Sequence, residues 1–368
     1  MWYLPIQIPD KTMTPPLAFE TASRLWRERI VQAPEYNVVR NDRIFRAGLS
    51  GAPVLESEYH DIQRLKHALL QRYSGIPVED APPGCIVVTP DGPVYCITRS
   101  HNLHLPGRDT DGVIQQLEHD LTLVYGIGRR KERDLKRMGY RTIPDLLLHR
   151  RFRDPAKDVL EVLQEGSPED IHFLVARWHQ ASDPRCLCTS GLYDDNRFLF
   201  LDLETLGIYQ RPIILIGLAF VQDGHLVTSQ YLVRDMEEEL PALHATREHL
   251  SRDTVLVTYN GRTFDVPYLK ERYALYGEDC EIGNPHYDLL HPSRRRFRDA
   301  FSDCRLMTLE QRLFSVYRHQ DVPSMMVPEF YEAFLTSKNP GPLIPIIEHN
   351  CQDLVSLARL FCLFRERD

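Results

Sequence analysis

Two carboxylates stand two residues apart in the apolar run Phe198-Leu-Phe-Leu-Asp-Leu-Glu-Thr205. The run is short, rich in aromatic residues and bounded by turn signals, which predicts a buried strand. Strand side chains alternate faces, so Asp202 and Glu204 point the same way. Two buried acids side by side carry a desolvation and repulsion cost. Hard divalent cations such as Mg²⁺ or Mn²⁺ offset that cost, since they take oxygen ligands. The plainer alternative is a strand end whose acids face water.

Two further stretches supply matching chemistry. Thr258-Tyr-Asn-Gly-Arg-Thr-Phe-Asp-Val-Pro-Tyr-Leu269 follows the β-rich Thr254-Val-Leu-Val and precedes a helical pattern over 269–276. Asp265 therefore sits where a strand or turn meets a helix, within reach of a site at the sheet edge. In 344–364, Ile347, Cys351, Leu354, Leu357, Ala358 and Phe361 recur at helical spacing. His349 and Asp353 are four apart there and share one face. Packing alone explains this set of three aspartates, a glutamate and a histidine poorly.

In order, Asp-x-Glu, Asn-x-x-x-Phe-Asp-x-Pro-Tyr-Leu and His-x-x-x-Asp resemble the three exonuclease motifs of the DEDD group of 3′–5′ exonucleases. The resemblance covers roughly residues 195–366. Arg294 to Arg298, Leu309-Glu310, Pro328 to Tyr331 and His349-Asn350 are similar to the YprB-like branch of that group. It implies an α/β fold with a ribonuclease-H-like mixed sheet and flanking helices. It implies two Mg²⁺ or Mn²⁺ ions. Asp202 would bridge both, Glu204 and Asp353 would hold the ion that binds the attacking water, and Asp265 would act on the second, directly or through water. His349 would be the base, its unperturbed pKa of about 6.5 suiting that task. One departure stands out. The group carries histidine five residues before the last aspartate or tyrosine four before it, and here a histidine holds the tyrosine spacing. Asn260 and Tyr259 would shape the terminal-nucleotide pocket.

Other elements would position these residues and their substrate. Ile213 to Phe220 and His225 to Val233 read as strands around the turn Gln222-Asp-Gly, and 237–250 as a helix. Strand, hairpin, helix and strand in that order predict an α/β core with a mixed sheet. Upstream, a proline-rich start precedes a helical pattern over 17–31, an amphipathic helix over 56–73, and a hairpin over 84–98 around Pro90-Asp-Gly-Pro93. His101 and His104 are possible ligands or plain surface histidines. We divide the chain into an accessory α+β region (1–118), a phosphate-binding module (119–165), a linker (166–194) with loop signals such as Asp183-Pro, and the catalytic domain (195–368).

The module rests on Leu121-Thr-Leu-Val-Tyr-Gly-Ile-Gly128, which resembles a helix-hairpin-helix unit. Gly126 and Gly128 permit positive φ and close approach of backbone to a ligand. Amides opening the next helix, with Arg129, Arg130 and Lys131, form an anion site for a phosphate. From Tyr125 to Arg153 there are ten Lys or Arg against three Asp or Glu, a local excess of seven positive charges. A hairpin used only for packing is the alternative. Ser293-Arg-Arg-Arg-Phe-Arg298 is a second basic cluster. Arg294, Arg295 and Arg298 could grip a backbone, with Phe297 either stacking on a base or lying in the core.

The 368 residues suffice for two or three domains. Hydrophobic content of 43%, charged content of 26% and a net charge of −8 describe an ordinary soluble protein whose nucleic-acid surface must be local. Eight scattered cysteines make no CxxC pair and fit a reducing cytoplasm. Neither a basic-then-apolar leader nor an apolar run long enough for a membrane is seen. The expectation is a metal-dependent 3′–5′ exonuclease, with DNA favoured over RNA by the hairpin. An RNA-trimming enzyme on the same fold, or a non-catalytic nucleic-acid adaptor, is the alternative.

Overall fold

The computed structural model describes residues 36–39, 52–207, 211–318 and 321–366. The helix expected over 17–31 lies outside the described residues. A two-stranded parallel pair, β1 (Tyr36–Val39) and β2 (Ala52–Leu55), stands apart from a seven-stranded mixed sheet. That sheet contains β3 (Cys85–Thr89), β4 (Gly92–His101), β5 (Phe198–Thr205), β6 (Ile213–Gln222), β7 (His225–Leu232), β8 (Val255–Thr258) and β9 (His286–Asp288). Its spatial order is β3-β4-β7-β6-β5-β8-β9. β5, β6 and β7 form an antiparallel meander, and β8 and β9 add on the other side of β5 in parallel. This is the ribonuclease-H-like α/β arrangement. The hairpin expected over 84–98 forms, and β4 pairs antiparallel with β7, so this upstream segment extends the same sheet.

β5 is central, with partners on both edges and helices over its faces, so it is buried along nearly its whole length, and its apolar run is broken only at Asp202, Glu204 and Thr205. Among the described residues the α-helices are α1 (Glu56–Arg72), α2 (Thr110–Glu118), α3 (Arg129–Arg137), α4 (Arg153–Glu165), α5 (Pro168–Trp178), α6 (Pro184–Cys188), α7 (Glu239–Arg247), α8 (Asp265–Leu275), α9 (Leu290–Phe297), α10 (Leu306–Phe314), α11 (Val327–Ser337) and α12 (Leu343–Arg365). The expected helices over 56–73 and 237–250 correspond to α1 and α7. α12 crosses the face of β5 that carries Phe198, Phe200, Asp202 and Glu204. Phe361 packs edge-on to Phe198 and Phe200, with ring centroids 4.8 and 5.7 Å apart. Eleven helical residues back from Phe361, about 16 Å, Asn350 reaches Asp202, about 13 Å along the strand from Phe198. The helix thus runs antiparallel to the strand and brings its His349–Asp353 turn over the two carboxylates.

Residues 166–194, expected as a linker, instead fold into α5, α6 and a short 3₁₀ turn, and bury Ile171, Val175, Leu187 and Tyr193 in the main core. The proline signals open helices rather than loops. Ser167 and Asp183 are N-caps, and Pro168 and Pro184 occupy the first helical position, where a missing N–H costs nothing. Among the described residues, no helix is long and apolar enough to cross a membrane.

Candidate active site

β8 is short. It pairs with β5 only as far as Phe200, then turns away into α8. The last residues of β5 are left open on that side, a crevice at the carboxyl ends of parallel strands. Asp265, the first residue of α8, fills part of it, its Oδ1 accepting the Leu203 amide at 3.1 Å. Asp265 thereby lies against the backbone between Asp202 and Glu204. On the other side, Asn350 Nδ2 donates to Asp202 Oδ2 at 2.7 Å. Asn350 is itself held, its Oδ1 accepting from Gln230 Nε2 at 2.8 Å. Room for that amide comes from Gly217, which faces Asp202 across the β5–β6 ladder. A Cβ there would come within 2.1 Å of Asn350 Oδ1.

Asp353 and His349 face the same crevice from α12. His349 Nδ1 lies 2.6 Å from Asp321 Oδ1 and so donates to it. His349 Nε2 lies 3.4 Å from Asp353 Oδ2. Arg318, in the loop after α10, pairs with Asp353 and with Glu310, its Nε 2.6 Å from Glu310 Oε1. Glu310 is fully buried, and Ser356 Oγ donates to it at 2.6 Å. The sequence reading missed Asn350's grip on Asp202, together with Gln230, Gly217, Arg318 and Asp321. Only Asn350 and Glu310 carried a signal, as part of the family-like pattern.

The electrostatics follow from this crowding. Burial and the neighbouring Asp353, Glu204 and Asp265 push the Asp202 carboxyl well above its ordinary range. Burial and the surrounding acids push Glu204 up to about 7, despite the opposing charge of His349. Asp265 also rises to about 7, mainly through burial, with its backbone hydrogen bonds pulling the other way. Burial disfavours a charged His349, but Asp321 and Asp353 outweigh it and hold the imidazole up to about 11. As placed, His349 is therefore an imidazolium near neutral pH and carries a proton rather than accepting one. Asp353 is held below its usual value, burial being outweighed by His349 and Arg318.

A buried all-oxygen set whose members repel one another has the chemistry of a hard divalent-cation site. Asp202, Glu204 and Asp265 fit that chemistry. Asp353 fits it in kind, but its carboxylate is engaged by Arg318. As placed, no group of three or more His, Cys, Asp or Glu side chains among the described residues could hold a metal ion.

Most of the expected nucleic-acid residues lie outside this set of acids, while Asn260 is in the turn that leads into α8. Gly126 has φ +83°, and Gly128 is the N-cap of α3. The segment before this hairpin is a single 3₁₀ turn, Leu121–Leu123, packed beneath it with Ile127 and Leu135. Arg129 and Arg130 are exposed, and Lys131 Nζ donates to Gly126 O at 2.8 Å. Arg294, Arg295 and Arg298 are exposed on or just after α9. Phe297 is not available for stacking, being buried against Phe301 with ring centroids 5.5 Å apart. Asn260, at φ +69°, is exposed and its Oδ1 accepts from Thr263 Oγ1, while Tyr259 donates to Cys304 O. His101 and His104 bond to Thr228 and to Gly224 O around β7, away from the acids.

Comparison with known proteins agrees with this topology. Residues 199–364 match the RNase_H superfamily model RNase_H_2. The chain is 30% identical over 199 residues to the uncharacterized protein YprB of Bacillus subtilis (strain 168), covering 52% of this chain and 47% of that protein. The chain thus spans about half the length of the curated relative it matches. Sheet order, matched region and relative agree on a ribonuclease-H-like α/β fold for this part of the chain.

Proposed function

We propose that this chain is a metal-dependent 3′–5′ exonuclease acting on DNA. The observation that carries the reading is the convergence of Asp202, Glu204 and Asp265 in one buried crevice, with Asp353 facing them from α12. These four would hold two Mg²⁺ or Mn²⁺ ions, which when bound supply an activated water and offset charge on the leaving oxygen. Asn350 fixes the Asp202 carboxylate from one side, and the Leu203 amide fixes Asp265 from the other. His349 stands beside them, its Nδ1 anchored to Asp321 and its Nε2 turned toward Asp353. On this reading residues 119–165 hold the strand through the hairpin amides and residues 195–368 cut it.

The Arg318–Asp353 pair favours a second reading, in which an internal cation substitutes for a metal and the chain binds nucleic acid without cutting it. Digestion of 3′- and 5′-labelled DNA and RNA, single- and double-stranded, with EDTA, Mg²⁺ or Mn²⁺ decides. The nuclease reading expects stepwise loss from the 3′ end only with metal, and none from Asp202→Ala. RNA preferred over DNA of the same sequence would move the substrate to RNA, since only RNA offers the 2′-hydroxyl. Salt-sensitive binding with no metal-dependent product would establish the adaptor.

A further inference from the structure

Two large aromatic side chains lie on the surface beside the hairpin. Tyr125, immediately before Gly126, is 72% exposed, and Trp178, at the end of α5, is 38% exposed. Their ring centroids are 6.3 Å apart with planes tilted by 52°, and the Arg177 guanidinium lies 5.3 Å from the Trp178 ring. An exposed tryptophan and tyrosine held together cost hydration that no internal partner returns. Tyr125 opens the segment with seven excess positive charges, and Trp178 packs beside it.

The surroundings set a direction. One flank of α5 is a groove lined by Asp158, Glu161, Glu165 and Asp170, with Arg177 at its edge, and its net negative charge disfavours phosphate. The other flank carries a network of paired charges. His179, next to Trp178, bonds Asp120 at 2.7 Å, and Arg185 joins Asp120 to Asp183. Asp183 lies 3.5 Å from Arg295 of α9. α9 in turn abuts the turn that precedes Asp265, since Cys304 bonds both Ser293 O and, through its carbonyl, Tyr259. A chain of paired side chains therefore ties the end of α5 to α9, and α9 to the turn that leads to Asp265.

We propose that Tyr125 and Trp178 form a stacking platform for the bases of an unpaired strand, whose phosphates the hairpin and α9 arginines hold on the way to the crevice. This rests on the nuclease reading and narrows its substrate to single-stranded ends. Aromatic faces stack on any exposed base but on none within a closed duplex, so the surface selects strand state and not sequence.

The test is anisotropy in EDTA, without cleavage, using labelled single strands and blunt duplexes, with quenching of a 2-aminopurine base as the stacking signal. The double variant Tyr125→Ala/Trp178→Ala should lose on the order of ten-fold or more in single-strand affinity and most of the quenching, with duplex binding little changed. Tyr125→Phe/Trp178→Phe should restore both. Tyr125→Ala alone, at the more exposed position, guards against misfolding and should show a smaller loss of the same kind. Unchanged single-strand affinity and quenching in the double variant, or equal losses on duplex, would overturn the platform. Metal-dependent digestion by the wild type is scored separately: its presence with an inert platform sinks only this inference, and its absence sinks the nuclease reading.

Discussion

Replacing Asp202 with asparagine should make the metal-free protein more stable, not less. Asn is nearly isosteric and keeps an oxygen for the Asn350 amide, now 2.7 Å from Asp202 Oδ2. What it removes is a buried carboxyl pushed well up by burial and by Asp353, Glu204 and Asp265. The unfolded chain gives up that proton near pH 3.9, whereas the folded protein holds it to higher pH. The native state therefore binds more protons through that window, and wild-type stability falls as pH rises through it. Removing a buried carboxylate that its neighbours repel gives Asp202→Asn a gain of about 1–3 kcal/mol at pH 8, the range seen when buried charges are replaced by neutral groups of similar size. At about 2 °C per kcal/mol for a chain of this size, Tm in EDTA should rise by about 2–6 °C. Mn²⁺ should raise the wild-type Tm by mass action and leave that of the variant nearly unmoved. A variant melting below wild type in EDTA, yet gaining as much from Mn²⁺, would refute the reasoning.

Other perturbations have equally definite outcomes. Gly217→Ala drives a methyl into Asn350 Oδ1 and should cost about 2–4 kcal/mol in chemical unfolding; a neutral effect would mean that Asn350 is not pinned there. Arg272→Ala leaves the fully buried Glu239 without its bidentate partner and should cost about 3–5 kcal/mol, whereas a loss under 1 kcal/mol would show water reaching that pair. Burial lowers His172 and His286 to about 4, below the unfolded value of about 6.5. The unfolded chain then binds the extra protons, so stability is full above pH 6.5 and falls on acidification toward pH 4, by up to about 3 kcal/mol for each histidine. A His172→Gln variant should show a shallower fall, and an identical slope would exclude His172 as a cause.

Much of the site was legible because its signals are local. β5 announced itself by an apolar run interrupted at two same-face positions, and α12 by a 3.6-residue period with His349 and Asp353 on one side. The β6–β7 turn was equally plain, since Asp223 and Gly224 both adopt positive φ. What escaped depends on distant partners. Arg318 is one charge in an irregular loop, and nothing nearby indicates that it meets Asp353. β9 has three residues, too few for a period, and forms because β8 offers it an edge. The helices of 166–194 were hidden because Asp-Pro and Ser-Pro serve helix starts as well as loops; the capping box from Ser167 to Asp170 was the signal that separates the two. Likewise, the 85–101 hairpin could be read as two strands, but not that its free edge would dock on β7.

The claim beneath all of this is that the acids of β5, α8 and α12 hold divalent cations. Anomalous X-ray scattering from crystals grown with Mn²⁺ measures that directly. Two peaks about 3.5–4 Å apart, bounded by Asp202, Glu204, Asp265 and Asp353 with Arg318 moved off Asp353, are predicted. A map with no peak in that crevice at saturating Mn²⁺, and with the Arg318–Asp353 pair intact, would contradict it.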